Sequence, residues 1–332
     1  MSVPARPRIA DALTEIQAPV RHLLDQVPGE MWRVIAADAP LVAEVSKHLM
    51  GMQGKMFRPT LALLAASIDG EPRPRALTVA AIAELIHLAT LVHDDSVDHS
   101  ALRRGMPTLN SAFSHQIAVI TGDYLYLRAL SELIQLDDIE PMRVLTSASC
   151  EMTLGEMRQI VNTDALDFDE SSYNRLIRAK TASLFSASCE VGAMYGAPAH
   201  RDAMGRFGDR LGMAFQIADD LLDYTEGEEV TGKPSGLDLR EHKVTLPLIA
   251  ALRTMPDVDR RLVDEFFAAS NPTDAEIDEI TALVRQHGGL DYARQQGEMF
   301  AGEAEAALAT VPDSPVRVAL FDAIGYVMDR RW

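Results

Sequence analysis

The sequence predicts an all-α protein, a large antiparallel helical bundle around a central cavity, and three observations carry that reading. Apolar residues recur at three-to-four spacing in segment after segment. Short Pro, Gly or Asp clusters separate these segments, and no stretch reads convincingly as alternating β. The segments run to roughly 15 to 25 residues, so each helix would span about 30 Å at a rise of about 1.5 Å per residue. Sites in such bundles form between facing helices. With no repeat at solenoid period and no low-complexity tract, residues 1–332 are read as one domain.

Taken in order, the N-terminal MSVPARPRIADALTEI lacks the apolar core of a signal peptide, and its arginines are interrupted by prolines, so it reads as a loose surface arm. Breaks are expected at Pro28-Gly29, at Asp69-Gly70-Glu71-Pro72 with Pro74, at Gly105-Met106-Pro107 and at Asp137 to Pro141. Others follow at Ala197-Pro198, across Gly227 to Gly236, at Pro256 and at Asn271-Pro272. The longest apolar stretch, Ala76 to His93, contains Glu84 and His87, which a membrane span would hold at costly depth. It reads as a buried core helix, with no transmembrane segment.

Hydrophobic residues are 47% and charged residues 24% of the chain, ordinary values for a protein with a sizeable core. With 31 Lys plus Arg against 49 Asp plus Glu, the net charge of -18 speaks against nucleic acid or an anionic membrane as the main partner. An anionic substrate would need local help. The two cysteines, Cys150 and Cys189, sit in apolar helical contexts without a CxxC or a histidine at metal-ligand spacing. A reduced, cytoplasmic setting is expected.

Chemistry concentrates in two acidic clusters. In HDDSVDHSALRRG, Asp94 and Asp98 stand one turn apart on one helix face, flanked by Asp95. Alone, such a cluster is more often a solvated acidic turn. About 125 residues later FQIADDLLDY repeats the spacing with Asp219, Asp220 and Asp223 in an otherwise apolar helix. Facing each other, the clusters would repel unless something cationic lay between them. Mg²⁺ favours carboxylate oxygens, takes one or two of them and completes its shell with water and substrate phosphates. The pair therefore reads as a diphosphate clamp working through metal.

Cations surround the clusters: Lys55 and Arg58 in QGKMFRP, Arg103 and Arg104 after the first cluster, Lys180-Thr181, and Lys233 in the Gly-rich TGKPSGLDLREHK, which ends on Lys243. Singly, each would be an ordinary solvated side chain. Together they suggest a second, metal-free phosphate site and a mobile lid. His87 lies seven residues before Asp94, two turns away on the same face. A lone histidine on an apolar helix is usually a satisfied core residue, but this alignment also suits a phosphate contact. Glu84 would neutralise a nearby cation.

These residues resemble the trans-isoprenyl diphosphate synthases, also called polyprenyl synthetases. DDSVD followed by RRG, DDLLD preceded by Gln216, KTASLF, GKPSGLDLREHKVTLP and GKMFRP match the family's motifs in order and approximate spacing, from about Gly54 to Pro247. The resemblance implies the isoprenoid synthase fold and condensation of isopentenyl diphosphate with an allylic diphosphate. It implies that Asp94 and Asp98 hold two Mg²⁺ ions on the allylic diphosphate with Asp95 assisting, and that Asp219 takes a third, supported by Asp220 and Asp223. Arg103, Lys180 and Lys233 would contact the allylic diphosphate. Lys55, Arg58, His87 and Arg104 would hold that of isopentenyl diphosphate, Lys243 would join the substrate contacts, and Thr181 and Gln216 would flank the reacting carbons. Gln53 and Met56 replace one glycine and one basic residue of the family's upstream motif, so the loop there is expected to differ.

Chain length in the family is governed just below the first motif. Here Ala89 and Thr90 stand five and four residues before Asp94, with Ile86 and Ala83 further down the same face. All lack aromatic bulk, which suggests a product longer than geranylgeranyl diphosphate, unless another helix sets the floor. Two other readings share parts of this pattern. A class I terpene cyclase or head-to-head condensing enzyme would not need Lys55, Arg58 and Arg104, and a non-catalytic regulatory subunit would have lost its aspartates. A dimer with a like or unlike chain suits such a bundle.

Overall fold

The computed structural model describes residues 9–52, 54–161, 166, 168–225, 236–269 and 271–329. The apolar periodicity folds as helices α1 (Ile9–Gln17), α2 (Val27–Ile35), α3 (Pro40–Gly51), α4 (Phe57–Ala66) and α5 (Arg75–Val97). Next come α6 (His115–Gln135), α7 (Ile139–Val161) and α8 (Glu170–Ile177), and a π-helical turn, Arg178–Ala182, leads into α9 (Ser183–Met194). The chain closes with α10 (Arg201–Thr225), α11 (Leu246–Leu252), α12 (Asp257–Ala268), α13 (Asp274–Gln286), α14 (Gly289–Ala307) and α15 (Pro315–Met328).

Most of the expected breaks fall between these helices. Pro28 does not: it sits in the first turn of α2, where a missing N–H costs no helical bond, so it starts a helix rather than ending one. Ser114 and Ser314 cap α6 and α15 by accepting the N–H of Ile117 and Arg317, and Thr273 with Glu276 forms a capping box on α13.

The core is built around α4 and α5. Every residue of α4 except Arg58 is buried. The fifth helix is apolar on all sides, as expected of a helix packed on every face, and it lies against α2, α4, α6 and α9. That explains why Arg75–Val97 has the length and hydropathy of a membrane span yet is largely enclosed by protein. The ninth helix crosses α4 so closely that a Cβ on Gly192 would overlap the carbonyl oxygen of Ala62, and its other side packs on α7 and α10.

Strand structure is confined, among the described residues, to Leu102–Arg103 (β1) and Met106–Pro107 (β2), antiparallel with Arg103 opposite Met106. Strands of two residues are too short to show an alternating pattern. Their two-residue loop, Arg104-Gly105, has positive φ at both positions, 53° and 74°, the requirement of a type I′ turn.

Candidate active site

Both aspartate clusters lie at C-terminal helix ends, the first on α5 and the second on α10. There the helix macrodipole is already negative, so each cluster adds charge where it is least welcome and a cation is most favoured. Burial, and after it the neighbouring Glu156 carboxylate, push Asp94 up to about 6 against the pull of Lys180. Asp98 is exposed at the helix end. Asp95 points elsewhere: only 5% exposed, it receives Arg103 Nε on both oxygens at 2.9 and 2.8 Å and Nη2 at 2.7 Å. Its carboxylate therefore anchors an arginine in addition to neighbouring the expected ion ligands.

The hairpin explains how two consecutive arginines serve different places. Arg103, in β1, turns toward Asp95, whereas Arg104, in the left-handed first position of the turn, donates to the carbonyl of Met52 at 2.8 Å. A Cβ on Gly54 would collide with that guanidinium, so the glycine leaves the room Arg104 occupies.

On α10, Asp219 is exposed and Asp220 is buried. Asp220 accepts from the Tyr173 hydroxyl at 2.5 Å and from Gln216 Nε2 at 2.8 Å. Burial and then Asp238 raise it well above the usual carboxylate range, while those two donors pull the other way. Asp223 accepts the N–H groups of Leu237 and Asp238, both at 3.0 Å, and so caps the short turn Leu237–Arg240. Asp238 is pushed up to about 7, by burial and then by Asp223, against the attraction of Lys243.

A cavity of about 630 Å³ joins the clusters: Asp98 from the first and Asp220 from the second line it, with Glu156, Lys180, Thr181, Gln216, Asp238 and Lys243. Lys180 is carried by the π-helical turn and pairs with Glu156 at 2.5 Å and Gln159 at 3.2 Å. Thr181, next in that turn, donates to Gln216 Oε1 at 2.7 Å. Lys243 pairs with Glu241 at 2.5 Å, and its proton is held against the cost of burial by Glu241, Asp238 and Asp98. Lys233 and Gln53 lie outside the described residues.

The expected second phosphate site is a separate basic group. Arg58 lies 4.7 Å above the Phe185 ring, and Lys55 lies 5.8 Å from that of Tyr326 on α15. Burial, followed by Arg58 and Arg104, holds His87 well below its usual value, which keeps it neutral beside them. Glu84 is buried with Oε2 lacking a hydrogen-bond partner, and burial raises it against Arg58 and Arg104. It is thus an acidic group buried beside these cations.

Ala89, Thr90 and Ile86 are not among the residues that line the cavity. Ile86 and Ala89, like Ala83, are packed in the core, and Thr90 donates its hydroxyl to the carbonyl of His87 at 2.8 Å. A more open cavity of about 530 Å³ elsewhere has its arginines already paired, Arg143 with Glu140, and Arg178 and Arg210 with Asp209.

Among the described residues no three His, Cys, Asp or Glu side chains converge as a closed metal cage. The donor set still fits a hard divalent ion, since such an ion needs only one or two carboxylates when phosphates complete its shell. The crowding of Asp94 by Glu156 and Asp98 is the strain it would relieve.

Sequence reasoning missed Glu156, Gln159, Tyr173, Asp238 and Tyr326. Glu156 could have been sought as the anion facing Lys180, and Tyr173 stands two turns before Lys180 as His87 stands two turns before Asp94. Tyr326 carried no local signal.

Known proteins resemble this chain over most of its length. The profile of the polyprenyl synthetase family matches residues 39–284. The all-trans-nonaprenyl-diphosphate synthase (geranyl-diphosphate specific) of Rhodobacter capsulatus is 38% identical, over 96% of this chain and 98% of its own. The octaprenyl diphosphate synthase of Haemophilus influenzae is 33% identical over 97% and 98%. Among solved structures, a polyprenyl synthase from Caulobacter crescentus complexed with calcium and isoprenyl diphosphate superposes with a TM-score of 0.90 at 30% identity, covering 99% of this chain and 100% of that one. An all-α bundle that brings two aspartate clusters, a Lys-Thr pair and a glutamine to one cavity, with these relatives along nearly all of its length, belongs to the polyprenyl synthetase family and is a prenyltransferase, a trans-polyprenyl diphosphate synthase.

Proposed function

We propose that the chain condenses isopentenyl diphosphate head to tail, 1′ to 4, with an allylic prenyl diphosphate, using three Mg²⁺ ions, and that its product is longer than geranylgeranyl diphosphate. The observation that carries this reading is the single cavity bounded by Asp98, Lys180, Thr181, Gln216 and Asp220. Asp94 and Asp98 would hold two of the ions and Asp219 the third, while Asp220 and Asp223 support Asp219 through the bonds they make to neighbouring elements. The relative bound to calcium and isoprenyl diphosphate supports a divalent ion at such a site. When bound, the ions supply positive charge that neutralises a departing diphosphate.

Arg103 and Lys180, with Lys233 and Lys243, bind the allylic diphosphate and stabilise it more as its carbon–oxygen bond breaks and charge collects on oxygen; that difference between transition state and ground state is the catalysis. Lys55, Arg58, His87 and Arg104 fix the other diphosphate, aiming its double bond at the new cation. Thr181 and Gln216 face the reacting carbons. The final proton goes to the released diphosphate, so no protein base is needed.

Nonaprenyl and octaprenyl relatives support the longer product. A dimer is supported by Ile120, Leu127 and Ile134, exposed at seven-residue spacing along α6, a stripe that a second like chain would cover, with an unlike chain as the alternative. The test is incubation of purified protein with Mg²⁺, labelled isopentenyl diphosphate and a range of allylic primers. Chain extension that stops on chelation is expected, and absence of any longer prenyl product overturns the reading.

A further inference from the structure

In the wall of the cavity three side-chain hydrogen bonds join end to end. The Thr181 hydroxyl donates to Gln216 Oε1 at 2.7 Å, Gln216 Nε2 donates to Asp220 Oδ1 at 2.8 Å, and the Tyr173 hydroxyl donates to Asp220 Oδ2 at 2.5 Å. Tyr173 is 1% exposed and Asp220 5%, so water does not stand in for either partner. The inventory of donors and acceptors sets the directions. The two oxygens of one carboxyl group thus accept a phenol and an amide N–H, and these two bonds fix how the group is turned. An amide turned the other way would set its carbonyl oxygen against Asp220 Oδ1 and lose that bond, so Asp220 selects the orientation of Gln216. The carbonyl so presented takes the only hydroxyl proton of Thr181. What Thr181 then offers the cavity is its lone pairs, made more electron-rich by each bond along the chain.

We propose that Tyr173 and Asp220 are positioning residues for the reacting end of the cavity: Tyr173 fixes Asp220, Asp220 fixes the Gln216 amide, and the amide turns the Thr181 oxygen toward the carbon that becomes cationic. This rests on the reading above in which Thr181 and Gln216 face the reacting carbons. The architecture suits it. Tyr173 and Thr181 belong to one continuous helical segment, α8 and the π-helical turn, whereas Gln216 and Asp220 lie one turn apart on α10. Two rungs therefore lock the segment carrying Lys180 to the helix carrying the second aspartate cluster. Within that cluster the work divides, with exposed Asp219 facing ions and buried Asp220 holding the wall.

The test uses the full-length enzyme with Mg²⁺ and both diphosphates. Tyr173→Phe is expected to lower kcat about tenfold while both KM values and the Mg²⁺ half-saturation stay within about twofold. Asp220→Asn keeps the shape, puts an N–H where one acceptor oxygen stood and is expected to lower kcat likewise with both KM values held, which settles the matter if Tyr173→Phe fails to fold. Thr181→Val alone should lower kcat, and adding Tyr173→Phe to it should slow it no further, because the tyrosine acts through the threonine. Full activity of Thr181→Val overturns the underlying reading and the inference with it. A slow Thr181→Val with an additive double variant, unchanged kcat in Tyr173→Phe or Asp220→Asn, or a Tyr173→Phe loss that tracks a raised Mg²⁺ half-saturation, overturns the inference alone.

Discussion

Replacing Asp95 by asparagine separates its two expected tasks. The side chain is 7% exposed and makes three contacts with Arg103, at 2.9, 2.8 and 2.7 Å, to an arginine that is 31% exposed. Asparagine keeps the size but loses the charge and one acceptor oxygen. A hydrogen bond to a charged group contributes about 1.5–3 kcal/mol, and because Arg103 is partly solvated the lower half of that range applies, about 1.5–2 kcal/mol. If Arg103 then drifts from the allylic diphosphate, the same energy is lost from the transition state, roughly ten- to thirtyfold in kcat/KM at about 1.4 kcal/mol per decade. The KM for isopentenyl diphosphate should hold, since Arg104 is anchored independently on Met52. Steady-state kinetics with each substrate varied, alongside a Mg²⁺ titration, reads all three quantities. An unchanged allylic kcat/KM with a tenfold higher Mg²⁺ half-saturation would show that Asp95 serves the ions and that the arginine contact is incidental.

Gly192→Ala should destabilise the protein by about 1–3 kcal/mol or more, the range typical of overpacking, because the new Cβ meets the backbone of Ala62, which cannot rotate away; an unshifted urea midpoint refutes this. Ala89→Phe with Thr90→Phe should shorten the products seen by mass analysis, and an unchanged distribution refutes the placement of the chain-length floor. His87 titrates well below its usual value in the fold, so below about pH 6.5 the unfolded chain takes a proton that the native chain refuses. Stability then falls with decreasing pH, by up to about 1.4 kcal/mol per unit. His87→Gln should flatten that acid limb in denaturation curves recorded from pH 5 to 7, and parallel limbs would contradict it.

The parts of the site legible in the sequence are those whose chemistry is local. DDSVD and DDLLD place carboxylates one turn apart on a helix, and helical spacing alone puts them on one face. Their convergence on one cavity rested on the reasoning that buried like charges need a common cation, and both clusters do line it. What stayed hidden depends on turns and distant contacts. Nothing in RRG announces an arginine in a left-handed turn position, so the divergence of Arg103 and Arg104 was not readable from spacing. Asp95, Asp220 and Asp223 look equivalent to their neighbours, yet each is engaged by a partner 8 to 47 residues away. Tyr326 reaches Lys55 from the last helix, where periodicity foretold a helix but no contact.

These contacts also explain how a chain with a net charge of -18 can bind anions. Three of the cations around the aspartate clusters are held by carboxylates of their own: Arg103 by Asp95, Lys180 by Glu156 and Lys243 by Glu241. Each side chain is thereby kept near the place where a phosphate would bind, at low cost in rotamer entropy on binding. An incoming diphosphate exchanges one anionic partner for another. Released from Lys180, Glu156 would leave Asp94 facing a bare like charge, so displacement of the lysine and arrival of a divalent ion favour each other. Metal and diphosphate should therefore bind with positive coupling, each tightening the other by the same factor. Glu156→Gln should weaken that coupling, and calorimetric titration of Mg²⁺ with and without inorganic pyrophosphate measures it in both proteins. Equal coupling in the two would show that the paired cations are only solvated surface charge.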